Sequence, residues 1–300
     1  MKLRAFTFLL ITLLLSISVR ASDDFFTDIS NAYLPGEVKE LLAGELTIPV
    51  IELEAHTPLP LGTAVLLTEP FPSSLTLAQG NTLAQLLSEK GWNVVLSPFN
   101  LPIKDVIDAD TQGDSSVANS STDSLATSSP EQQAANKIHP RSNQLTQYLD
   151  FDATSTQLAL QLNALNNYLQ GRQGYRMVIA QGMLAATYLA VTKDQETLHP
   201  DTLIAISPFW PDTTVNDLII DNIAQAEYPL LDLSLEGFND WTQDTLDRRR
   251  ISAQNALKIH YRQIIIPTHV LAISANQNQK PPHIQLVASS TIGWTRYLGW

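Results

Sequence analysis

The chain has 300 residues and a mass of 33.1 kDa, and 44% of its residues are hydrophobic while 16% are charged. This composition predicts a globular protein and argues against intrinsic disorder or a fibrous structure. The formal net charge of −12 argues against nucleic acid or an anionic membrane surface as the main partner. The absence of cysteine excludes disulfides, thiolate nucleophiles and cysteine metal ligands.

The first 21 residues have the pattern of a signal peptide. Lys2 and Arg4 precede an apolar stretch over 5–19, and Val19 and Ala21 supply the small residues that signal peptidase recognises. We therefore predict cleavage after Ala21 and a periplasmic location. An uncleaved anchor is the alternative, although the stretch is short for a membrane span and no later run is apolar enough to cross a bilayer.

The rest of the chain alternates predicted strands and helices. Short apolar runs predict strands, and longer stretches with apolar residues every three or four positions predict helices. In chain order the predicted elements are strands at 46–53 and 62–68, a helix at 76–90, a strand at 92–97, a helix at 153–169, a strand at 175–180, a helix at 183–191, a strand at 201–207, a helix at 217–226, a strand at 228–234, a helix at 240–260, a strand at 262–266 and a short helix at 290–300. This order predicts an α/β fold with a doubly wound, mostly parallel sheet.

A polar segment interrupts this pattern at about 104–141. It consists mainly of Ser, Thr, Asp, Asn, Gln and Ala, with few large apolar side chains. Such a segment cannot offset the entropy of ordering by burying apolar surface, so we predict a flexible, disordered insertion. The sequence has no internal repeat, and residues 22–300 are predicted to form a single domain that contains this insertion.

The junction between the strand at 175–180 and the following helix is where a catalytic residue is expected. It reads Ala180-Gln181-Gly182-Met183-Leu184, and the order of elements around it resembles the α/β-hydrolase fold. In that fold a G-x-S-x-G motif places a nucleophilic serine at the tip of a strand-to-helix elbow. Here the tip falls on Gly182, which tolerates the strained backbone but has no side chain. The resemblance therefore implies an elbow that lacks its nucleophile.

The loop after the strand at 62–68 also departs from the α/β-hydrolase pattern. The resemblance implies an oxyanion hole here, to which this loop contributes a backbone N–H group. The loop reads Glu69-Pro70-Phe71-Pro72, and its two prolines have no N–H to donate. Glu69 is expected to add negative charge where an oxyanion would develop, which would oppose catalysis.

The same resemblance implies positions for the other two members of a catalytic triad. Asp240 follows the strand at 228–234, where the orienting acid can lie, and His269 follows the strand at 262–266, where the general base is expected. His283 is a poorer candidate for the base. Asp240 is also a good helix N-cap, and His269 has the simpler interpretation of a solvated loop residue. We predict Asp240 and His269 as vestigial triad positions.

Several other short sequence segments are similar to one family in particular. They are Tyr33–Val38, Gly91-Trp92, Tyr228–Asp232, the stretch from Asp247 through Gln263, and Gly293-Trp294. The chain resembles the DUF3530 family, exported bacterial proteins of unknown function with an α/β-hydrolase-like fold. The resemblance implies the fold and export but no activity. One part of these segments, His260-Tyr261-Arg262-Gln263, has two interpretations: a binding site or a structural helix-to-strand junction.

No cofactor or metal motif is present. The six histidines include no i, i+4 pair, and neither a phosphate loop nor a dinucleotide-binding glycine motif occurs. We therefore predict a non-catalytic protein that binds an unknown small molecule or an envelope protein, without cofactor, metal or nucleic acid. The alternative is a hydrolase of ester or amide bonds whose nucleophile is Ser73, Ser74 or Ser207. A scaffold that uses the polar insertion to hold an envelope protein is a third possibility.

Overall fold

A computed structural model describes residues 21–33, 37–71, 74–102, 148–193, 195–267 and 281–300. The predicted polar insertion and residues 1–20 of the predicted signal peptide lie outside these residues. Within the described residues, no helix combines the length and the apolar character needed to cross a bilayer.

Strands and helices alternate along the described chain, as predicted. In chain order the elements are α1 (Ala21–Ala32), β1 (Val38–Ala43), β2 (Leu46–Leu53), β3 (Gly62–Thr68), α2 (Leu77–Ser88), β4 (Trp92–Pro98), α3 (Phe151–Tyr168), β5 (Tyr175–Gln181), α4 (Gly182–Lys193), a 3₁₀ turn (Glu196–Leu198), β6 (Thr202–Ile206), α5 (Thr213–Gln225), β7 (Leu230–Leu235), α6 (Asp240–Asn255), β8 (Tyr261–Ile266) and α7 (Pro282–Tyr297).

The described strands form one sheet in the order β1-β2-β4-β3-β5-β6-β7-β8. The pairs β1–β2 and β2–β4 are antiparallel, and the other pairs, from β3–β4 to β7–β8, are parallel. The predicted doubly wound, mostly parallel sheet is thus confirmed. The carboxyl ends of β3 to β8 meet at one edge of the sheet, here called the carboxyl edge.

The chain leaves β3 and β5 in opposite directions, which creates a switch point between two adjacent strands. From β3 the chain crosses to β4 on one side, and from β5 it crosses to β6 on the other side. In open α/β sheets, ligands bind in the crevice that such diverging connections leave at the carboxyl edge. The ends of β3 and β5 are therefore the part of the fold to examine for function.

Helices cover both faces of the sheet. Helices α2 and α7 pack on one face, whose core includes Leu66, Leu83 and Trp294, and helices α3 to α6 pack on the other. Strand β3 is buried at every position, which explains why its sequence is apolar on both sides and does not alternate. The indole of Trp294 donates to the Thr202 hydroxyl at 2.9 Å and thereby ties α7 to β6.

Two elements of the structure were not predicted, and two predicted helices, α6 and α7, have clearly different bounds. Helix α1 and strand β1 were not expected, because β1 is an edge strand whose side chains are mostly exposed and give little apolar pattern. Helix α6 ends at Asn255 and not at 260, since Leu257 adopts a left-handed backbone with φ 54°. The last helix begins at Pro282, eight residues before the predicted start, with a proline in its first turn.

Candidate functional site

The strand-to-helix elbow is present and has Gly182 at its bend. Gln181 is the last residue of β5 and Gly182 the first of α4, with no loop between them. Gly182 has φ +64°, in the left-handed region where glycine carries no steric penalty. Helix α4 is buried at every position except Ala190 and Lys193, so packing on all sides fixes the bend. The elbow thus has a rigid backbone and no reactive side chain at its tip.

Glu69 follows the last residue of β3 at the carboxyl edge, on the strand next to the one that enters the elbow. The parallel register of β3 and β5 runs to the pair Leu66–Ile179, two residues before the end of each strand. The Glu69 N–H donates to the Leu75 carbonyl at 3.1 Å, so it is already committed, and Pro70 has no N–H. The described part of this loop therefore offers no free amide from Glu69 or Pro70 to an oxyanion, as the sequence indicated.

The carboxyl group of Glu69 is buried without a polar partner. The residue is 2% exposed, and neither Oε1 nor Oε2 has a hydrogen bond within the described structure. Burial raises the pKa of this carboxyl well above its usual value, because the ionised form would lose its hydration. This raised pKa opposes the negative charge that the sequence predicted here and favours the protonated acid, which carries a proton to donate.

Two hydroxyl groups close to Glu69 in the chain are also buried and unpartnered. Thr68 Oγ1 and Ser74 Oγ have no hydrogen bond within the described residues, and each residue is 1% exposed. The Thr68 methyl lies against α2, where a Cβ on Gly80 would come within 2.7 Å of it. Natively folded proteins rarely leave buried polar groups unpaired, so three of them at one strand end indicate a place prepared for a ligand or water.

Ser207, one of the alternative nucleophiles, is fully committed to the fold. It follows β6 with φ +45°, and its side chain is completely buried. Its N–H donates to the Leu233 carbonyl at 2.7 Å, and its Oγ accepts the Leu235 N–H at 2.8 Å. The hydroxyl thus joins the carboxyl ends of β6 and β7. Ser74 Oγ, in contrast, has no hydrogen bond within the described residues, and the same is true of Ser234 Oγ on β7.

Comparison with solved structures finds the same type of fold in proteins of very different sequence. A protein from Klebsiella pneumoniae assigned as a dienelactone hydrolase matches with a TM-score of 0.52 and 13% sequence identity, over 88% of this chain and 97% of that chain. The chain has an α/β-hydrolase-like fold. An esterase domain from a Rhodothermus marinus protein (TM-score 0.49, 12% identity, 87% of this chain and 97% of that chain) and a dienelactone hydrolase from Anabaena variabilis (0.48, 12%, 87% and 98%) are also similar.

These identities are too low to carry an activity from one chain to another, and the likeness concerns the fold alone. No protein-family model and no curated protein sequence matches the chain. The resemblance to the DUF3530 family therefore stays a prediction.

The predicted triad positions of the α/β-hydrolase-like fold are only partly described. Asp240 is the first residue of α6 and is exposed, while the N-cap is the preceding Asn239, whose side chain accepts the Thr242 N–H at 2.7 Å. His269 lies outside the described residues. His283 lies near the start of α7, where burial lowers its pKa. Within the described residues, no group of three or more His, Cys, Asp or Glu side chains could hold a metal ion.

Two of the five segments that resemble the DUF3530 family, Tyr228–Asp232 and Asp247–Gln263, meet in one buried hydrogen-bond network. The Asp232 carboxylate on β7 accepts from Arg249 (Nε–Oδ2 3.0 Å, Nη2–Oδ1 3.3 Å), from the Tyr261 hydroxyl at 2.9 Å and from Gln263 Nε2 at 3.0 Å. Asp232 and Arg249 are both completely buried. Between the two interpretations of the 260–263 run, this network supports the structural one, since Tyr261 and Gln263 join β8 to β7.

The elbow was predicted from the sequence, whereas the raised pKa of the Glu69 carboxyl was not. A signal for Glu69 was present, namely an acid that follows an entirely apolar strand and precedes a proline. The sequence alone could not show that no basic side chain reaches this acid. That absence, within the described residues, leaves burial as the cause that raises the pKa of this carboxyl.

Proposed function

We propose that this chain is an exported, non-catalytic protein that binds a ligand at the carboxyl edge of its sheet, between the ends of β3 and β5. The observation that carries the proposal is Gly182 at the bend of the elbow with φ +64°. The bend has the backbone geometry that presents a nucleophile in an active α/β hydrolase, but it presents no atom that could attack a substrate.

Two further observations support a binding role over catalysis. Ser207 cannot act as a nucleophile without breaking its buried hydrogen bond to the Leu235 amide. The Glu69 N–H, which could have served an oxyanion, is bonded to Leu75. Acyl transfer needs a nucleophile, a base and oxyanion donors within mutual reach, and the described residues do not supply this set.

Labelling with a fluorophosphonate, which reacts covalently with activated serines, tests the proposal. The protein is isolated from the periplasmic fraction of an expressing bacterium, and mass spectrometry is expected to find an N-terminus at Ser22. We expect no labelling of this protein under conditions in which a control esterase reacts fully. A Gly182→Ser variant, which restores a hydroxyl at the bend, serves to ask whether a nucleophile is the missing part.

Labelling of the natural protein would contradict the proposal and favour the hydrolase alternative. In that case loss of labelling in Ser74→Ala or Ser73→Ala would identify the nucleophile, and its loss in His269→Ala would identify the base. Ser207→Ala is the comparison variant, since its hydroxyl is used by the fold and its removal should leave any labelling in place.

A further inference from the structure

Both carboxyl oxygens of Glu69 lack a partner at the place where the topology predicts a ligand. Glu69 directly follows β3 and Gly182 directly follows β5, and these two adjacent parallel strands form the switch point. A buried polar group without a hydrogen bond is costly, and folding does not relieve that cost here because neither Oε1 nor Oε2 is paired within the described residues. A ligand that pairs both oxygens would recover this lost interaction.

The protonation state of Glu69 limits what this ligand can be. Burial alone raises the pKa of the carboxyl, and no described cationic side chain opposes this effect. A neutral carboxylic acid has one O–H donor and a carbonyl acceptor about 2 Å apart on the same group. Its complement is a neutral group with an acceptor and a donor at the same spacing.

We propose that Glu69 binds a primary carboxamide of the ligand, donating its O–H to the amide oxygen and accepting an amide N–H on its carbonyl oxygen. This inference rests on the proposed binding function, and it names the chemistry that the crevice recognises. An ester offers only an acceptor and would leave the Glu69 carbonyl oxygen unpaired. An alkylammonium ion offers only donors and would need the buried carboxyl to ionise.

The Gly182 elbow fits this recognition because it leaves the end of β5 without a side chain beside the acid. The second N–H of a carboxamide also needs an acceptor. Ser74 Oγ belongs to the loop that the Glu69–Leu75 backbone bond closes, and it is buried and unpartnered within the described structure. We assign this hydroxyl as the acceptor for the second N–H.

The test is a titration of the mature protein with three matched small probes, followed by NMR of the ¹⁵N-labelled backbone. The probes are propionamide, N,N-dimethylpropionamide, which keeps the acceptor and lacks the donors, and n-propylammonium. We expect propionamide to shift the Glu69 and Gly182 resonances and to bind at least about tenfold more tightly than the other two probes. Its binding should weaken as pH rises through the raised pKa of Glu69, because the donor proton is then lost.

Two substitutions of the same residue separate this proposal from its rivals. Glu69→Gln keeps one donor and one acceptor, so it should still bind propionamide and should lose the pH dependence. Glu69→Leu should lower the affinity at least about tenfold while the fold, checked by circular dichroism, is kept. Glu54→Gln and Glu54→Leu are the controls, since Glu54 is an exposed acid beyond the end of β2, at the opposite edge of the sheet, and should change nothing.

Preference for n-propylammonium, with loss of that preference in Glu69→Gln, would overturn the proposal in favour of a cation site. Equal binding of the dimethyl probe, or no binding of any probe near Glu69, would also overturn it. These outcomes are independent of fluorophosphonate labelling. A protein that is unlabelled and does not bind propionamide would therefore keep the proposed function and lose only the carboxamide assignment.

Discussion

Glu69 and Asp232 are both acids buried at the sheet, and their surroundings are opposite. Asp232 accepts hydrogen bonds from Arg249, Tyr261 and Gln263, and its charge is matched by a buried guanidinium. Glu69 has neither a countercharge nor a hydrogen bond among the described residues. Asp232 is level with Ala180, below the carboxyl edge, and Glu69 is at that edge.

The comparison separates a structural acid from a candidate functional one. A buried carboxylate that is fully paired and lies under a helix holds elements together, in this case β7, β8 and α6. A buried carboxyl that is unpaired at a topological switch point lowers stability and is available to a ligand. The predictions below test whether the two acids differ in this way.

The largest effect is expected from breaking the ion pair of Asp232. Arg249→Met removes the guanidinium and leaves a buried carboxylate without its countercharge, which should lower the free energy of unfolding by about 3–5 kcal/mol. Urea unfolding followed by circular dichroism measures this change. Arg248→Met is the control, because the neighbouring Arg248–Asp217 pair is exposed and should contribute less than about 1 kcal/mol.

If Arg249→Met and Arg248→Met lowered the free energy of unfolding equally, Asp232 would not differ from an ordinary surface acid. The double variant Asp232→Leu/Arg249→Met sharpens the test further. It removes both charges together, so it should be more stable than Arg249→Met alone.

The next effect is a gain in stability when Glu69 can no longer ionise. The folded-state pKa of Glu69 is raised above its usual value of 4.5, so the folded protein binds the proton more tightly than the unfolded chain. The stability that the protonated Glu69 contributes is fully present below the pKa that this residue has in the unfolded chain. It is lost as pH rises toward the folded-state pKa, by about 1.4 kcal/mol per pH unit at most. Glu69→Gln has no proton to lose, so its stability relative to the natural protein should rise between pH 4 and pH 8.

Urea unfolding at the two pH values measures this difference, with Glu54→Gln as the exposed-acid control. A Glu69→Gln variant that loses stability at pH 8 would mean that the ionised carboxyl has a favourable partner. The contrast with Asp232 would then be wrong.

The smallest effect is expected at the rim of the Asp232 network. Tyr261→Phe removes the hydrogen bond to Asp232 and the 3.3 Å hydrogen bond that the Tyr261 hydroxyl accepts from Gln263. The Asp232 carboxylate keeps its Arg249 and Gln263 donors, so the change should cost about 1 kcal/mol. Tyr297→Phe, at an exposed tyrosine on α7, is the control and should be neutral. If Tyr261→Phe lowered the free energy of unfolding as much as Arg249→Met does, the network would depend equally on all of its hydrogen-bond donors.

The sequence predicted the fold well where apolar patterning is strong. Strands β2 and β3 occur at the predicted residues, because both are buried and β-branched or leucine-rich. It failed at β1, where an exposed edge gives little signal, and at the end of α6, where the left-handed Leu257 stops a helix whose composition would allow it to continue. The pattern of apolar residues indicates which positions are buried, but it does not indicate where the backbone turns.

The candidate site was predicted in part, for the same reason. The position of Gly182 follows from the order of strands and the small residues at the turn, so the elbow was found. The raised pKa of Glu69 and the hydrogen bond between Ser207 Oγ and the Leu235 amide depend on contacts between distant parts of the chain. The Asp232–Arg249 pair likewise joins two of the segments that resemble the DUF3530 family. Their positions in the sequence do not predict that they are in contact.

The burial of α4 on almost every side also bears on how this protein and active enzymes could be related in evolution. The bend at residue 182 is maintained by its neighbours, whether or not a reactive group stands on it. A glycine codon that ends in a pyrimidine becomes a serine codon through one nucleotide change. Where Gly182 has such a codon, a single mutation is enough to place a serine at this bend.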